Sequence, residues 1–232
     1  QVFLNNIMKK ILIISTGILS AYLSKFLLGR GYEVYVTTSK KKPGYKNFKN
    51  LKIDKKVIFK KLNIYDQISI EKFIFEINPS IIFYFAGQSS ISKSVILPKQ
   101  TLKSNYTGCK NFLEVLKKKK STIKFIKANS GYIFSDKKKI NFSHPSFSLN
   151  INPYIVSQKK AYKVVSKYRL KGVKSYNAVL YNAESNLRDN SFLIKKICVY
   201  IKNNVFKKKK NSCRKFKINK RFWVGSRIGR RH

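Results

Sequence analysis

The chain is 232 residues long, which allows one sizeable hydrophobic core, and it contains no apolar run long enough to cross a bilayer. Its three cysteines show neither paired nor metal-ligand spacing, so a disulfide framework is excluded and a cytoplasmic protein is expected. With 51 Lys and Arg residues against 9 Asp and Glu residues the net charge is +42, which attracts polyanions non-specifically at low salt.

The distribution of the basic residues leaves two explanations of this charge open. Lysine runs occur throughout the chain, in segments predicted to be loops and helix ends: Lys40–Lys42, Lys117–Lys120, Lys137–Lys139 and Lys207–Lys210. Lys, Asn and Ile are all abundant and are all read from A/T-rich codons, which favours compositional drift. Selection for nucleic-acid binding is the alternative explanation.

The first predicted strand begins shortly after Met8, the only methionine. Residues 1–7 are therefore interpreted as an upstream extension that takes no part in the fold. A buried strand at 10–15 leads into a turn and a helix that ends near Arg30, and a second strand follows at Tyr32–Thr38. This strand–turn–helix–strand order is typical of dinucleotide-binding proteins, in which phosphates lie at the helix N-terminus.

The turn and the end of the second strand carry the cofactor signal. Of the three glycines expected in the turn only Gly17 is present, with Ile14 and Ser20 in the other two places. An acid at the end of the second strand would bond a ribose 2′-hydroxyl, whereas a basic residue accommodates a 2′-phosphate. Here Thr38 is followed by Ser39 and the run Lys40–Lys42, so NADP is predicted rather than NAD.

Strands and helices continue to alternate along the rest of the chain. The further predicted strands are Val57–Phe59, Ile81–Phe85, Thr122–Lys127 and Ser175–Tyr181. The further predicted helices are Gln67–Ile77, a long helix after Pro98, a helix from Tyr154 to about Arg169, and a helix at 189–202. The pattern predicts an α/β fold of Rossmann type, with a mostly parallel sheet and helices on both faces. Strands one and four are expected at its centre, with the Gly17 turn facing the loop Ala86–Ser90.

Several segments in this order resemble one known family. They are Ala86–Ser90 with Ser94 and Pro98, Asn105-x-x-Gly108, Tyr154 after Pro153 at a helix start, Tyr181–Ser185 with Lys195 and Lys196, and Lys220–Trp223. Together they resemble an extended short-chain dehydrogenase/reductase of the GDP-mannose 4,6-dehydratase branch, over about Met8 to Trp223. The resemblance implies a Rossmann domain at 8–204 and makes 205–232 a basic tail, the remnant of an incomplete C-terminal substrate domain.

The resemblance also implies a reaction and two catalytic groups. Enzymes of this branch take a hydride from sugar C4, eliminate water across C5–C6 and return the hydride to C6, so NADP is recycled within each turnover. The phenol at Tyr154 is expected to act as acid and base on the C4 oxygen, and the Ser130 hydroxyl to hydrogen-bond that oxygen. A nucleotide sugar is the implied substrate, and a homo-oligomer is consistent with the resemblance.

Four positions depart from the family pattern. The glutamate that removes the C5 proton is replaced by Tyr132, and the lysine one turn after the catalytic tyrosine is replaced by Gln158, although Lys159 follows it. The acid expected near the adenine is Asn63, and the histidine beside the nicotinamide is Ala183. The dehydratase is therefore expected to be impaired or inactive.

The resemblance assigns binding roles to further residues. Cofactor contacts are expected from Thr16, Gly17, Ile18, Lys40, Asn63, Ile64, Phe85, Ala86, Gln88, Tyr154 and Gln158. Substrate contacts are expected from Ser89, Ser90, Asn182, Glu184, Lys196 and Arg221. Two other functions stay open: a nucleotide-sugar reductase or epimerase of the same superfamily, which needs no glutamate base, and a non-catalytic relic that binds polyanions non-specifically.

Overall fold

A six-stranded, wholly parallel β-sheet organises the first of two compact units, which spans residues 1–181. The strands are β1 (Lys10–Ile14), β2 (Glu33–Thr38), β3 (Ile58–Lys61), β4 (Ile81–Tyr84), β5 (Lys124–Ser130) and β6 (Ser175–Leu180). Their order is β3-β2-β1-β4-β5-β6. The predicted neighbours β1 and β4 are confirmed, since Ile11 is in register with Val34 on one side and Ile81 on the other.

The computed structural model describes residues 9–39, 45–134, 147–148, 151–190 and 192–206. The described residues therefore exclude residues 1–7, Met8, the lysine run that begins at Lys40, and the tail with Arg221. Among the described helices none is long and apolar enough to cross a membrane.

Helices cover both faces of the sheet, as the Rossmann-type prediction requires. They are α1 (Ile18–Leu28), α2 (Lys46–Asn50), α3 (Gln67–Ile77), α4 (Ile91–Ile96), α5 (Pro98–Leu102), α6 (Gly108–Lys118) and α7 (Pro153–Leu170). Buried side chains form one core between the sheet and α3, α6 and α7, and a second between the sheet and α1 and α2. Alternate residues of β1 belong to different cores, Leu12 to the first and Ile13 to the second, because successive side chains of a strand point to opposite faces.

The helix bounds show where local sequence decides the structure. The prediction for α3 is confirmed at both ends: the Asp66 carboxylate accepts the Ile68 N–H at 3.0 Å, and Asn78 ends the helix in a left-handed conformation. The single long helix predicted after Pro98 is instead α5, a π-helical segment at Lys103–Thr107, and α6. The short helices α2 and α4 are not in the prediction.

The second unit spans residues 182–232 and is described as far as residue 206. It contains α8 (Leu193–Ile201), followed by a π-helical segment at Lys202–Phe206. The Arg188 Nε lies 3.7 Å from the Glu184 Oε2, and the Arg188 guanidinium lies over the Phe192 ring.

Candidate functional site

A cleft of about 470 Å³ opens at the carboxyl ends of β1, β2, β3 and β4. Its lining residues are Ile14, Ser15, Thr16, Thr37, Thr38, Ser39, Leu62, Asn63, Ile64, Tyr65, Ala86, Gly87, Gln88, Gln100 and Ser104. The sheet order reverses between β1 and β4, and ligands of open α/β sheets bind at such a reversal. The volume lies in the range of ligand and cofactor sites.

The turn between β1 and α1 forms one wall of the cleft. Gly17 is the N-cap of α1 and has no side chain that could cap the helix, and the first turn contains no acid. The partial positive charge at this end of the helix therefore favours an anion. Ser15 takes a positive φ of 145°, and its Oγ accepts the Gly17 N–H at 3.0 Å.

The end of β2 supplies hydroxyl groups to the cleft. Thr37, Thr38 and Ser39 line it, and no described lining residue is acidic. On the neighbouring strand end the Asn63 Oδ1 accepts the Tyr65 N–H at 3.1 Å. The Lys103 ammonium lies 4.5 Å from the centre of the Tyr65 ring, so positive charge is also present beside this end of the cleft.

The loop after β4 is held against the rest of the site by Asn105. This side chain is fully buried in the π-helical segment, and its Nδ2 donates to the Gln88 carbonyl oxygen at 3.2 Å and to Ser157 Oγ at 2.9 Å. Gly87 has a φ of +151°, and a Cβ added there would collide with Asn105 Oδ1. Asn105 thus fixes the loop to α7, and π-helical segments are frequent at functional sites.

Ser130 and Tyr132 lie at the end of β5. Ser130 is the last residue of the strand, three residues beyond the predicted end, and its Oγ accepts the Tyr132 N–H at 3.3 Å. Pairing with β6 continues as far as Ser130 and Leu180, which explains the longer strand. Tyr132 is 54% exposed, and the Tyr181 ring packs against Gly131 beside it.

Tyr154 and Gln158 lie one turn apart on α7, which packs against β5 and the turn Gly131–Ile133. The helix begins at Pro153, and Asn152 caps it by accepting the Ile155 N–H at 2.9 Å. Both side chains are buried, and Gln158 Oε1 has no hydrogen-bond partner among the described residues. The ammonium of the neighbouring Lys159 donates a hydrogen bond to the Ser148 carbonyl oxygen, so Lys159 does not replace the lysine that is missing at position 158.

A buried lysine lies in the same strand as Ser130. Lys127 is 2% exposed, its ammonium donates to the Ala128 carbonyl oxygen, and it lies 5.6 Å from the centre of the Tyr84 ring. Burial lowers the pKa of this ammonium from its ordinary 10.5 to about 8. The sequence analysis missed Lys127, because it resembled one more lysine of a basic chain.

The structure places part of the predicted binding set in the cleft. The predicted cofactor residues among its lining are Thr16, Asn63, Ile64, Ala86 and Gln88, whereas Gly17, Ile18, Phe85, Tyr154 and Gln158 are not lining residues. Lining residues that the prediction missed include Ser15, Thr37, Tyr65, Gly87, Gln100 and Ser104. The position of Ser15, Thr37 and Gly87 at strand ends was the signal that could have identified them.

The predicted substrate residues fall into separate groups. Ser89 is exposed in the loop after β4, and Ser90 caps α4 by accepting the Lys93 N–H at 3.3 Å. In the second unit Asn182, Glu184 and Lys196 are exposed, and so is Ala183.

Residues 15–224 match the family model of GDP-mannose 4,6 dehydratase. The chain belongs to the GDP-mannose 4,6 dehydratase family. It is 28% identical over 194 residues to GDP-mannose 4,6 dehydratase 2 of Arabidopsis thaliana, which covers 78% of this chain and 52% of the relative. It is 26% identical over 204 residues to GDP-mannose 4,6-dehydratase of Vibrio cholerae serotype O1, which covers 82% of this chain and 54% of the relative. The chain spans about half the length of these curated relatives.

Solved structures confirm the fold expected for this family. The DesIV dTDP-glucose 4,6-dehydratase of Streptomyces venezuelae, solved with NAD, gives a TM-score of 0.70 at 16% identity and covers 84% of this chain and 62% of that one. The UDP-glucose 4-epimerase of Thermotoga maritima, solved with UDP-glucose, gives 0.64 at 21% identity and covers 79% and 59%. At these identities the likeness establishes the Rossmann-type fold alone.

Proposed function

We propose that this chain binds NADP in the cleft and is a nucleotide-sugar enzyme of the GDP-mannose 4,6-dehydratase type whose elimination step is impaired. The observation that carries the proposal is the cleft at the β1/β4 reversal, with Ser130 and Tyr154 on the adjoining β5 and α7. The names of the curated relatives and the NAD in the DesIV structure support a nicotinamide dinucleotide and a nucleotide sugar. Preference for NADP over NAD is supported by Thr37, Thr38 and Ser39, which leave the end of β2 without an acid.

The cleft fits such a cofactor on three counts. Its volume is adequate, the first turn of α1 offers backbone N–H groups to a phosphate, and Gly87 lets the loop after β4 pack against Asn105, which fixes that wall of the cleft. The bound dinucleotide would supply the hydride acceptor and donor. Thr16, Gly17 and Ile18 would hold the pyrophosphate, and Asn63 and Ile64 would lie beside the adenine.

The residues of this chain would carry out the proton transfers. Tyr154, reacting as its phenolate, takes the proton of the sugar C4 hydroxyl, and the Ser130 hydroxyl hydrogen-bonds the same oxygen and orients it. Asn105 acts as a positioning residue, because it ties the loop of Ala86–Ser90 to the helix turn that carries Tyr154. Glu184 and Lys196 are proposed substrate contacts.

Two substitutions weaken this chemistry. An adjacent cation lowers the pKa of a phenol by about 1–3 units, so a neutral Gln158 costs about 1.4–4 kcal/mol, or about 10- to 1000-fold in rate. At Tyr132 a phenol stands in place of the carboxylate base that removes the C5 proton. Hydride transfer is therefore expected to persist weakly, whereas elimination is blocked.

The absence of the glutamate base also favours a second candidate function. A reductase or epimerase needs the tyrosine and the hydride but no base at position 132, so this substitution does not impair it. Formation of a 4-keto-6-deoxy sugar would support the dehydratase. Conversion without loss of water would support the reductase or epimerase.

Calorimetric titration with NADP⁺ and NAD⁺ at moderate salt tests the cofactor. We expect weak binding, with a dissociation constant above the micromolar range and a preference for NADP⁺. Thr38→Glu should reverse that preference, because a carboxylate at the end of β2 repels a 2′-phosphate and accepts a hydrogen bond from a 2′-hydroxyl.

Thr122→Glu is the matched control. Thr122 is exposed and precedes the N-terminal end of β5, which β1 and β4 separate from β2, so the same change in net charge there should leave the preference unaltered. Absence of dinucleotide binding in the unaltered chain would refute the enzyme proposal and favour the non-catalytic relic.

A further inference from the structure

The turn between β1 and α1 contains a strained residue that is not a glycine. Ser15 adopts a φ of +145°, a conformation that favours glycine, and Ser15 is one of the residues that line the cleft. Such strain persists where neighbouring interactions hold it. One such interaction is the hydrogen bond from the Gly17 N–H to Ser15 Oγ at 3.0 Å.

The Ser15 Oγ thus accepts a hydrogen bond from one of the backbone N–H groups at the N-terminus of α1. Gly17 is the N-cap of α1, and a Cβ added to it would lie 3.3 Å from Ser15 Oγ, so the hydroxyl is packed over the residue as well as bonded to it. A phosphate oxygen approaching the Gly17 N–H would meet the serine hydroxyl there. The same amide cannot serve both acceptors with good geometry.

We propose that Ser15 determines the affinity of the cleft for dinucleotides, because its hydroxyl occupies the Gly17 amide and must be displaced by the cofactor pyrophosphate. This inference rests on the proposed function. Binding then requires the serine to rotate away or the turn to rearrange. The turn itself therefore lowers the affinity for the cofactor, in addition to the effect of Ile14 and Ser20, which stand in place of two glycines.

The test compares two substitutions that separate the hydroxyl from the strain. Ser15→Ala removes the competing oxygen and keeps a Cβ at the strained position, whereas Ser15→Gly removes both. Each should tighten NADP⁺ binding by about 2- to 10-fold, the range that corresponds to one net hydrogen bond. Ser15→Gly should also raise the melting temperature of the ligand-free chain, and Ser15→Ala should not.

Ser121→Ala is the matched control. Ser121 Oγ accepts the N–H two residues ahead, from Ile123 at 3.2 Å, in the same kind of turn but before β5 and away from the lining of the cleft. Its loss should leave dinucleotide affinity unchanged.

Inorganic pyrophosphate, followed through the amide resonance of Gly17, separates this inference from the proposed function. Tighter pyrophosphate binding by both Ser15 variants, with no dinucleotide binding by any chain, would support the role of Ser15 and refute the enzyme proposal. Unchanged affinity of both variants for NADP⁺ and for pyrophosphate would overturn the role of Ser15, whether or not the unaltered chain binds the dinucleotide.

Discussion

Lys127 shows how a single residue sets the pH response of the fold. Its ammonium is buried beside the Tyr84 ring, and burial holds its pKa at about 8, below the ordinary 10.5. The unfolded chain therefore binds more protons at this site than the folded chain between pH 8 and 10.5. The contribution of this site to the free energy of unfolding therefore increases as pH rises through that window and decreases as pH falls toward 8.

Lys127→Met should stabilise the protein at pH 7. The shift of the Lys127 pKa corresponds to on the order of 3 kcal/mol, and the advantage of the variant should shrink toward pH 10 as the lysine of the unaltered chain loses its proton. Urea denaturation of both chains from pH 6 to 10 measures the difference.

Lys124→Met, at the exposed start of the same strand, is the control and should show no such pH-dependent difference. An advantage of Lys127→Met that stays constant over this range would mean that Lys127 keeps its ordinary pKa when folded.

Two repairs at the catalytic positions should act together. Gln158→Lys returns a cation to the Tyr154 face of α7, and Tyr132→Glu returns a carboxylate two positions after Ser130. Each should help little alone, because oxidation precedes elimination, while the double variant should exceed both. The measurement is formation of a 4-keto-6-deoxy sugar from GDP-mannose, with the C-terminal half of a curated relative fused to the chain.

Lys159→Gln is the control for this repair. Its ammonium donates to the Ser148 carbonyl oxygen, so its loss should not change turnover of the fusion. An unaltered fusion as fast as the double variant would show that Gln158 and Tyr132 are not defects.

At the scale of elements, local signals decided what could be predicted. The bounds of α3 follow from Asp66 and Asn78, which lie next to it in the chain. The π-helical segment has no such local signal, because Asn105 is held there by Gln88 and Ser157, residues that are distant in sequence. Likewise β5 reaches Ser130 only through its pairing with β6. The buried apolar runs were sufficient to predict the six strands in order, whereas the contacts around the cleft required the fold.

The loop after β4 should be intolerant of a side chain at Gly87. Gly87→Ala adds a Cβ that collides with Asn105 Oδ1 at a φ of +151°, so we expect a loss of stability of more than about 2 kcal/mol, or a displaced loop. Gly31→Ala is the matched control: it also has a positive φ, of +75°, but nothing lies within 4 Å of its added Cβ.

Gly31→Ala should therefore cost about 1 kcal/mol from backbone strain alone. Urea denaturation compares the two variants. Equal losses would show that the Asn105 side chain moves aside and does not hold the loop.

At the scale of the whole molecule, the described acids are largely engaged by their neighbours. Glu76 pairs with Lys60, Glu114 with Lys110, and Glu71 with Lys118 and Lys119. Exposed pairs of this kind contribute little to stability. Basic residues remain far in excess of acids, 51 against 9, and lysines occur beside both β3 and β5, so we expect attraction of polyanions without one defined binding surface.

Two quadruple variants test this. Changing Lys117–Lys120 to Gln, or Lys55, Lys56, Lys60 and Lys61 to Gln, should weaken binding to single-stranded DNA by similar amounts, with a lower dependence on salt in both. Fluorescence anisotropy with two unrelated sequences measures affinity and salt slope. Binding abolished by one variant and untouched by the other would reveal a localised nucleic-acid site.

The strand order has a consequence for how the chain acquires its structure during synthesis. β2 pairs with β1 and β3 with β2, each with the strand made just before it. β4 then returns to β1, and β5 and β6 each add to the strand that precedes them in the chain. The pairing of β4 with β1 joins strands that are not consecutive in the chain and closes the longest loop, from Ile11 to Ile81, and long loop closures are slow. A ribosome that pauses after β4 would therefore hold a chain whose longest loop closure is already possible, with the two remaining strands free to join the growing edge as they emerge.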